Sequence, residues 1–308
     1  MIKNQNHTGT YILLLLAAFF GGASFIITKM VVKDMPPLTA AAIRYSLASI
    51  IIMSFVFIQD RHTLIQQISK NWKIFIGLGI LGIAGFNSLL FIGLMSSSAV
   101  NASIIMATNP LVTLLLSAWI IGDSINLKQK LGALLSLYGV LIVITHGMLA
   151  NLFKLNISKG DIFLIIANLC WGFYCVFARR YIKKTDPMIS VGATMCTGAI
   201  MLILLASLRE GRMNWSMLTW QLSAALCFLS FFGSVLVYFF WNIGFKNVGV
   251  GTTSAFFNFI PVFTVLLSEL ISIPVDGPQL VGSIVIFSGV IISIIKSRNK
   301  WDKLAEPT

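Results

Sequence analysis

The residues able to do chemistry are uncharged polar and aromatic side chains set inside long apolar runs. Asn87 and Phe91 are four apart and share one helical face, and so do Tyr238 and Asn242. Ser254, Asn258 and Pro261 form a second stripe, matched by Ser103, Ala107 and Pro110. Asn101 stands just before Ser103 in the same run. Ser24 and Thr28 share a face, as do Trp171 and Tyr174, which continue the face of Asn168. Such groups inside an apolar segment either bond neighbouring helices or line a wet cavity that holds a solute. Trp and Tyr offer broad apolar area with a polar tip.

Charges inside the runs are few. Arg44 lies a third of the way into one run, Lys29 near the end of another, and Glu269 near the end of a third. Lys29 is expected to snorkel to the interface. Glu269, if desolvated, would hold its proton more tightly and could couple the protein to protons. Arg44 is open between backbone contacts and a ligand. His146 ends a run, where an interfacial place is expected. No HExxH, GxSxG or Walker sequence occurs, so neither an enzyme nor an ATP-driven pump is expected. Cys170, Cys175, Cys196 and Cys227 show no metal spacing, and no metal, cofactor or disulfide is expected.

The elements that position these groups follow from composition. The chain is 57% hydrophobic and 10% charged, with a mean hydropathy of +0.90. A soluble surface needs about 25% charged residues, so the bilayer is the expected solvent. The runs are apolar all round, which favours helices over a β-barrel. Ten spans fit: 11–32, 37–58, 74–95, 99–121, 129–147, 160–182, 188–208, 219–245, 250–272 and 278–296. The net charge of +12 is then a loop bias, not a nucleic-acid surface. Fifteen of the 22 Lys and Arg fall on the side of the N-terminus. Six fall opposite: Lys29, Lys33, Lys154, Lys159, Arg209 and Arg212. Both termini are therefore expected in the cytoplasm.

The chain also repeats itself. Phe91–Ser117 returns as Asn242–Ser268, with Pro110 aligned on Pro261 at a shift of 151. That shift pairs Asn87 with Tyr238 and Gly93 with Gly244. Pro37 and Pro187, and Gly132 and Gly139 with Gly282 and Gly289, pair at 150. Residues 1–150 and 151–308 thus read as two five-helix repeats within one all-α membrane domain. Five is odd, so the second repeat is expected inverted, with a substrate site near the midplane between repeats. The crowded Gly77, Gly79, Gly82 and Gly85 are expected to pack helices closely.

Several motifs resemble the EamA-type drug/metabolite transporters. In Phe19–Ala48, Gly22, Lys29, Pro36, Pro37 and Arg44 match that family's first motif, with Gly21 in place of its usual Trp. Trp171-Gly172, with Arg179 and Arg180, restores the pattern in the second copy. Asn109-Pro110 and Gly122-Asp123 resemble later motifs; Ser272-Ile273 departs from the second Gly-Glu. The resemblance implies ten helices in inverted repeats, a cavity between spans 1, 3, 4, 6, 8 and 9, and alternating access for small organic solutes, often in export. The expected protein is a secondary transporter of the inner membrane, a monomer or homodimer. Its expected cargo is amino acids or related neutral or zwitterionic metabolites. The expected substrate residues are Ser24, Thr28, Asn87, Asn101, Trp171, Tyr174, Tyr238, Asn242, Ser254 and Asn258, with Pro110 and Pro261 as helix breaks. An importer or exchanger on the same fold, and a non-transporting receptor or assembly protein, are the alternatives.

Overall fold

A computed structural model describes residues 8–122, 127–144, 158–182, 185–211, 218–271 and 277–294. His146, the basic tail 296–303, Asp123 and Ser272-Ile273 lie outside them. The described residues hold helices and turns and no strand. That agrees with the solvent: apolar segments in lipid must satisfy their own backbone, and helices do so locally.

The chain opens with α1 (Thr8–Asp34) and turns at Met35-Pro36 into α2 (Pro37–Leu78). Asp60 breaks α2 with φ −155° and ψ 84°. The run continues through a π-helical segment, Gly79–Gly85, into α3 (Phe86–Ser96). Pro37–Ser96 therefore folds back on itself, and the Tyr45 hydroxyl donates to Asn87 Oδ1 at 2.9 Å. α4 (Ala99–Ala107) and α5 (Asn109–Ile121) form one broken rod, closed by Gly122 in the left-handed region at φ 78°. Glycine tolerates that cap. α6 (Leu127–Ile144) ends the first repeat.

The second repeat has the same parts. α7 (Lys159–Tyr181) starts on a capping box of Ser158 and Asp161. α8 (Pro187–Arg209) starts with the Asp186 carboxylate accepting from the Met188 and Ile189 N–H groups. α9 (Trp220–Ser230) runs through a second π segment, Phe231–Leu236, into α10 (Val237–Asn247). α11 (Gly249–Ala255), a 3₁₀ turn at Phe256–Asn258 and α12 (Phe259–Leu270) form the second broken rod, and α13 (Gly277–Ile294) comes last. Both rods break just before the two prolines of the repeat, Pro110 and Pro261. Proline lacks the N–H that would continue the ladder.

Among the described residues, seven helical runs are long and apolar enough to cross a membrane, the longest being Pro37–Ser96 at 60 residues. At about 1.5 Å per residue that run is about three times a 30 Å hydrocarbon core.

The repeats pack by exchange. α2 lies on α8 and α6 on α13, each against its own counterpart. α3 lies on α7 as α10 lies on α1, and α5 lies on α7 as α12 lies on α1. The repeated glycines make the α6–α13 crossing. A Cβ on Gly139 would stand 2.8 Å from the Gly282 carbonyl, and one on Gly289 2.7 Å from the Gly132 carbonyl. Gly79 and Gly198 do the same where the first π segment meets α8, with Cβ positions 2.8 and 2.9 Å from the facing backbone. Small residues let the backbones approach.

Candidate functional site: a polar knot on the pseudo-two-fold axis

Asn87 and Tyr238 are counterparts in the two repeats, and they touch. Asn87 Nδ2 donates to the Tyr238 hydroxyl at 3.3 Å. A residue bonded to its own counterpart marks where the axis relating the repeats passes. Asn87 Nδ2 also donates to the Ile83 carbonyl, while the Tyr45 hydroxyl donates to Asn87 Oδ1. All three side chains are buried, so the knot is nearly satisfied within itself, as burial requires.

The two π segments shape this centre. A π turn adds a residue to the ladder and frees a carbonyl. Gly82 and Gly233 are equivalent at the shift of 151, and each gives its carbonyl to the opposite repeat. The Tyr238 hydroxyl donates to the Gly82 carbonyl at 3.0 Å. Arg44 Nη2 donates to the Gly233 carbonyl at 2.7 Å, and its Nε to Ser234 Oγ at 2.7 Å. Each glycine is also needed for its neighbour. A Cβ on Gly82 would strike the Tyr174 ring, and one on Gly233 would strike the Ser24 hydroxyl. Ser24 and Tyr174 are themselves counterparts.

Around the knot lies a narrow cavity of about 60 Å³, the room of about two waters. Ser24, Thr28, Arg44, Tyr45, Asn87, Trp171, Tyr238, Trp241 and Phe257 line it. The aromatic walls are one cluster. Trp171 meets Tyr238 edge-on at 4.9 Å, Tyr174 at 5.0 Å and Phe86 at 5.0 Å, and Trp241 stacks on Phe257 at 4.1 Å. No carboxylate lines the cavity, and Arg44 is its only charge among the described residues.

The two ends differ. At the end where α1 and α3 finish, Lys29 Nζ donates to the Leu94 and Ser97 carbonyls at 2.7 and 2.8 Å. Ser97 Oγ donates to Asp161 Oδ1 at 2.6 Å. Nearby the Glu210 carboxylate accepts from the N–H groups of Leu38 and Thr39 and from the Thr39 hydroxyl, at 2.7 to 2.9 Å. It caps α2 from the other repeat. Lys29 therefore serves the open carbonyls ending α3 instead of simply snorkelling. At the opposite end a vestibule of about 310 Å³ opens between Arg179, Thr185, Pro187, Ser190, Asn242 and Lys246. Asn242 of the vestibule donates its Nδ2 to the Tyr174 hydroxyl at 3.2 Å, and the Tyr174 ring packs on Trp171 and Tyr238 of the cavity wall.

Of the residues expected from sequence, Ser24, Thr28, Asn87, Trp171 and Tyr238 come together at the cavity. Tyr174 packs behind its aromatic wall, and Asn242 lines the vestibule. Ser254 and Asn258 are buried near the second helix break, where Ser254 Oγ and Asn258 Oδ1 have no partner among the described residues. Asn101 is exposed in the first turn of α4, its N–H on the Ser98 cap, and does not reach the cavity. Glu269 is exposed in the last turn of α12, outside the cavity, because the inward face of α12 carries Ile260, Pro261, Thr264, Val265 and Ser268 instead.

Residue type and spacing did not single out Tyr45 or the pairing of the two π glycines. Asn168 stands out in sequence only by its face; in the fold it closes the break before Pro110. Its Nδ2 donates to Thr108 Oγ1 at 2.7 Å and to the Ile105 carbonyl, and its Oδ1 accepts from Asn109 Nδ2 at 2.7 Å. The Asn109-Pro110 pair was the available signal.

Comparison with known proteins gives the same outline. The sequence pattern of the EamA-like transporter family matches twice, over residues 8–145 and 158–295. The uncharacterized transporter YyaM of Bacillus subtilis (strain 168) is 37% identical over 287 residues, covering 93% of this chain and 94% of the relative. An uncharacterized transporter of Archaeoglobus fulgidus is 26% identical, covering 93% and 98%. A crystal structure at 16% identity superposes with a TM-score of 0.75 over 93% of this chain and 96% of its own, which speaks for the fold alone. Two matched repeats, with a relative of this identity over nearly the whole length, make the chain a multi-pass membrane transporter, and it belongs to the EamA-like transporter family.

Proposed function

We propose that the chain is a secondary transporter that moves small organic metabolites, such as amino acids and related compounds, by alternating access. The observation that carries this is the cavity between the repeats, lined by residues of both, with the Lys29–Ser97–Asp161 and Glu210–Thr39 contacts toward one end of the helices and the vestibule toward the other. Rocking the repeats about that axis would break the Lys29–Ser97–Asp161 and Glu210–Thr39 contacts and close the vestibule. The aromatic walls suit an apolar side chain. The absence of a cavity carboxylate among the described residues argues against cationic drugs.

The chain is read as ten crossings, with Pro37–Ser96 supplying two and the shorter α6 and α13 one each. The lysine and arginine bias supports an inverted second repeat and cytoplasmic termini. The vestibule, beside Arg179 and Lys246, then faces the cytoplasm of an inner membrane, a direction suited to loading for export. The test is flux into or out of proteoliposomes holding the purified chain, against a panel of amino acids and their relatives. Saturable flux of at least one supports the reading. Ligand binding without flux of any solute overturns it in favour of a receptor.

A further inference from the structure

Arg44 is buried, and its protein contacts leave it short of partners. Its Nε and one Nη2 bond are met by Ser234 and the Gly233 carbonyl. A guanidinium has five N–H donors. Tyr45 and Phe91 offer their ring faces at 5.1 and 5.9 Å, a cation–π contact without a counter-charge. No carboxylate pairs with it among the described residues. A buried, unpaired charge in a membrane span is expensive and marks function. Its counterpart in the second repeat at the shift of 150 is Thr194, whose hydroxyl is met by Ser190 and Val191 carbonyls. The charge is therefore a single, one-sided feature of an otherwise symmetric site.

A second observation points the same way. Trp171 Nε1, donor only, and Thr28 Oγ1 both line the cavity, are buried, and have no hydrogen-bond partner among the described residues. The acceptors nearby are used: Asn87 Oδ1 by Tyr45, the Gly82 carbonyl by Tyr238 and the Gly233 carbonyl by Arg44. The cavity thus has unmet donors, one positive charge and no negative one. Its missing complement is a compact anion with oxygen acceptors, attached to an apolar body that the aromatic walls can hold. One guanidinium matches one carboxylate; a doubly charged phosphate would want a second cation.

We infer that the central cavity binds the carboxylate of a small organic acid, with Arg44 as counter-charge and Trp171 Nε1–H as a further donor. This rests on the transport reading above and narrows its substrate class. An ammonium group on the same molecule is tolerated by the aromatic faces but not required. The cavity of about 60 Å³ widens on loading, since only the smallest acids fit it as it stands.

The test uses the purified full-length chain and a series of acids, each beside its uncharged amide: acetate, propionate, benzoate and indole-3-acetate. Binding is read by thermal shift and calorimetry at neutral pH. At least one acid should bind about tenfold or more tighter than its amide, the range expected of a charge-assisted bond. Arg44→Gln should erase that preference and Arg44→Lys keep part of it. Trp171→Phe, which keeps the ring and loses the donor, should weaken the acid about tenfold or less. The inference fails if no acid binds the wild-type chain, if acids and amides bind alike, or if Arg44→Gln keeps the preference. The wild-type comparison decides even if Arg44→Gln does not fold. Flux of the same acids in proteoliposomes separates the two claims. Binding of acids without flux removes transport and leaves the site; flux indifferent to charge and to Arg44→Gln removes the site and leaves transport.

Discussion

Gly82→Ala is the sharpest perturbation of the centre. The new Cβ would stand 2.9 Å from Tyr174 Cβ and closer still to two ring carbons. None of these three atoms is the loose end of a flexible chain, so the ring or the π segment must move. Overpacking of this kind costs about 1–3 kcal/mol. Against it, alanine improves helix propensity over glycine by about 1 kcal/mol. The expected net result is destabilisation by up to about 2 kcal/mol. Displacing Tyr174 also loosens its bond to Asn242, so transport should fall further than stability. Gly77→Ala is the control, because a Cβ there meets nothing within 4 Å; it should be neutral or stabilising. The assay is apparent melting temperature in detergent with flux in proteoliposomes, on the two variants, on Tyr174→Ala and on Gly82→Ala/Tyr174→Ala. The double variant should recover stability relative to the sum of the singles, since the clash is shared. If Gly82→Ala melts like Gly77→Ala and transports normally, the close packing of the π segment on Tyr174 is wrong.

Other expectations rest on single contacts. Glu210→Ala removes the cap of α2 and should lower stability by about 0.5–2 kcal/mol, read as an earlier melting transition. If the contact also holds one end shut, the variant's flux should change in rate while its substrate preference stays. Trp171→Ala and Asn242→Ala should impair flux with expression intact; normal flux by both would count against the cavity. Glu269→Gln should leave pH-gradient-driven flux unaltered, because Glu269 stands exposed outside the cavity; loss of that flux would restore the proton role expected from sequence.

Much of the fold was legible because lipid imposes simple rules. Apolar length located the helical runs, and the proline shift located both helix breaks. The repeat also named the pair at the centre: Asn87 and Tyr238 stood out as polar groups at equivalent places in two apolar runs. What sequence could not show was the π turn. It alters helical register by one residue, so a strict 3.6-residue face misplaces the residues on either side of it. Tyr45 was hidden because an aromatic in an apolar run has no distinctive neighbours. The glycines Gly82 and Gly233, the latter with Ser234, are the trace the π turn leaves, and they read first as ordinary packing. Asn101 and Glu269 are the opposite case, standing outside the cavity. Each lies in a helix end turn, where a polar residue meets the surface at little cost and says nothing of a cavity. Arg44 was visible as a charge, but only its partners in the second repeat show how little of it the protein satisfies.

Flux through the axial site tests the account most directly. Proteoliposomes holding the wild-type chain, loaded in turn with amino acids and small organic acids, should show saturable, protein-dependent release of at least one solute. Trp171→Ala, folded to the same melting profile, should release it at a small fraction of that rate. Protein-free liposomes releasing every solute equally fast, or a Trp171→Ala variant with full flux, would contradict the central cavity as the path.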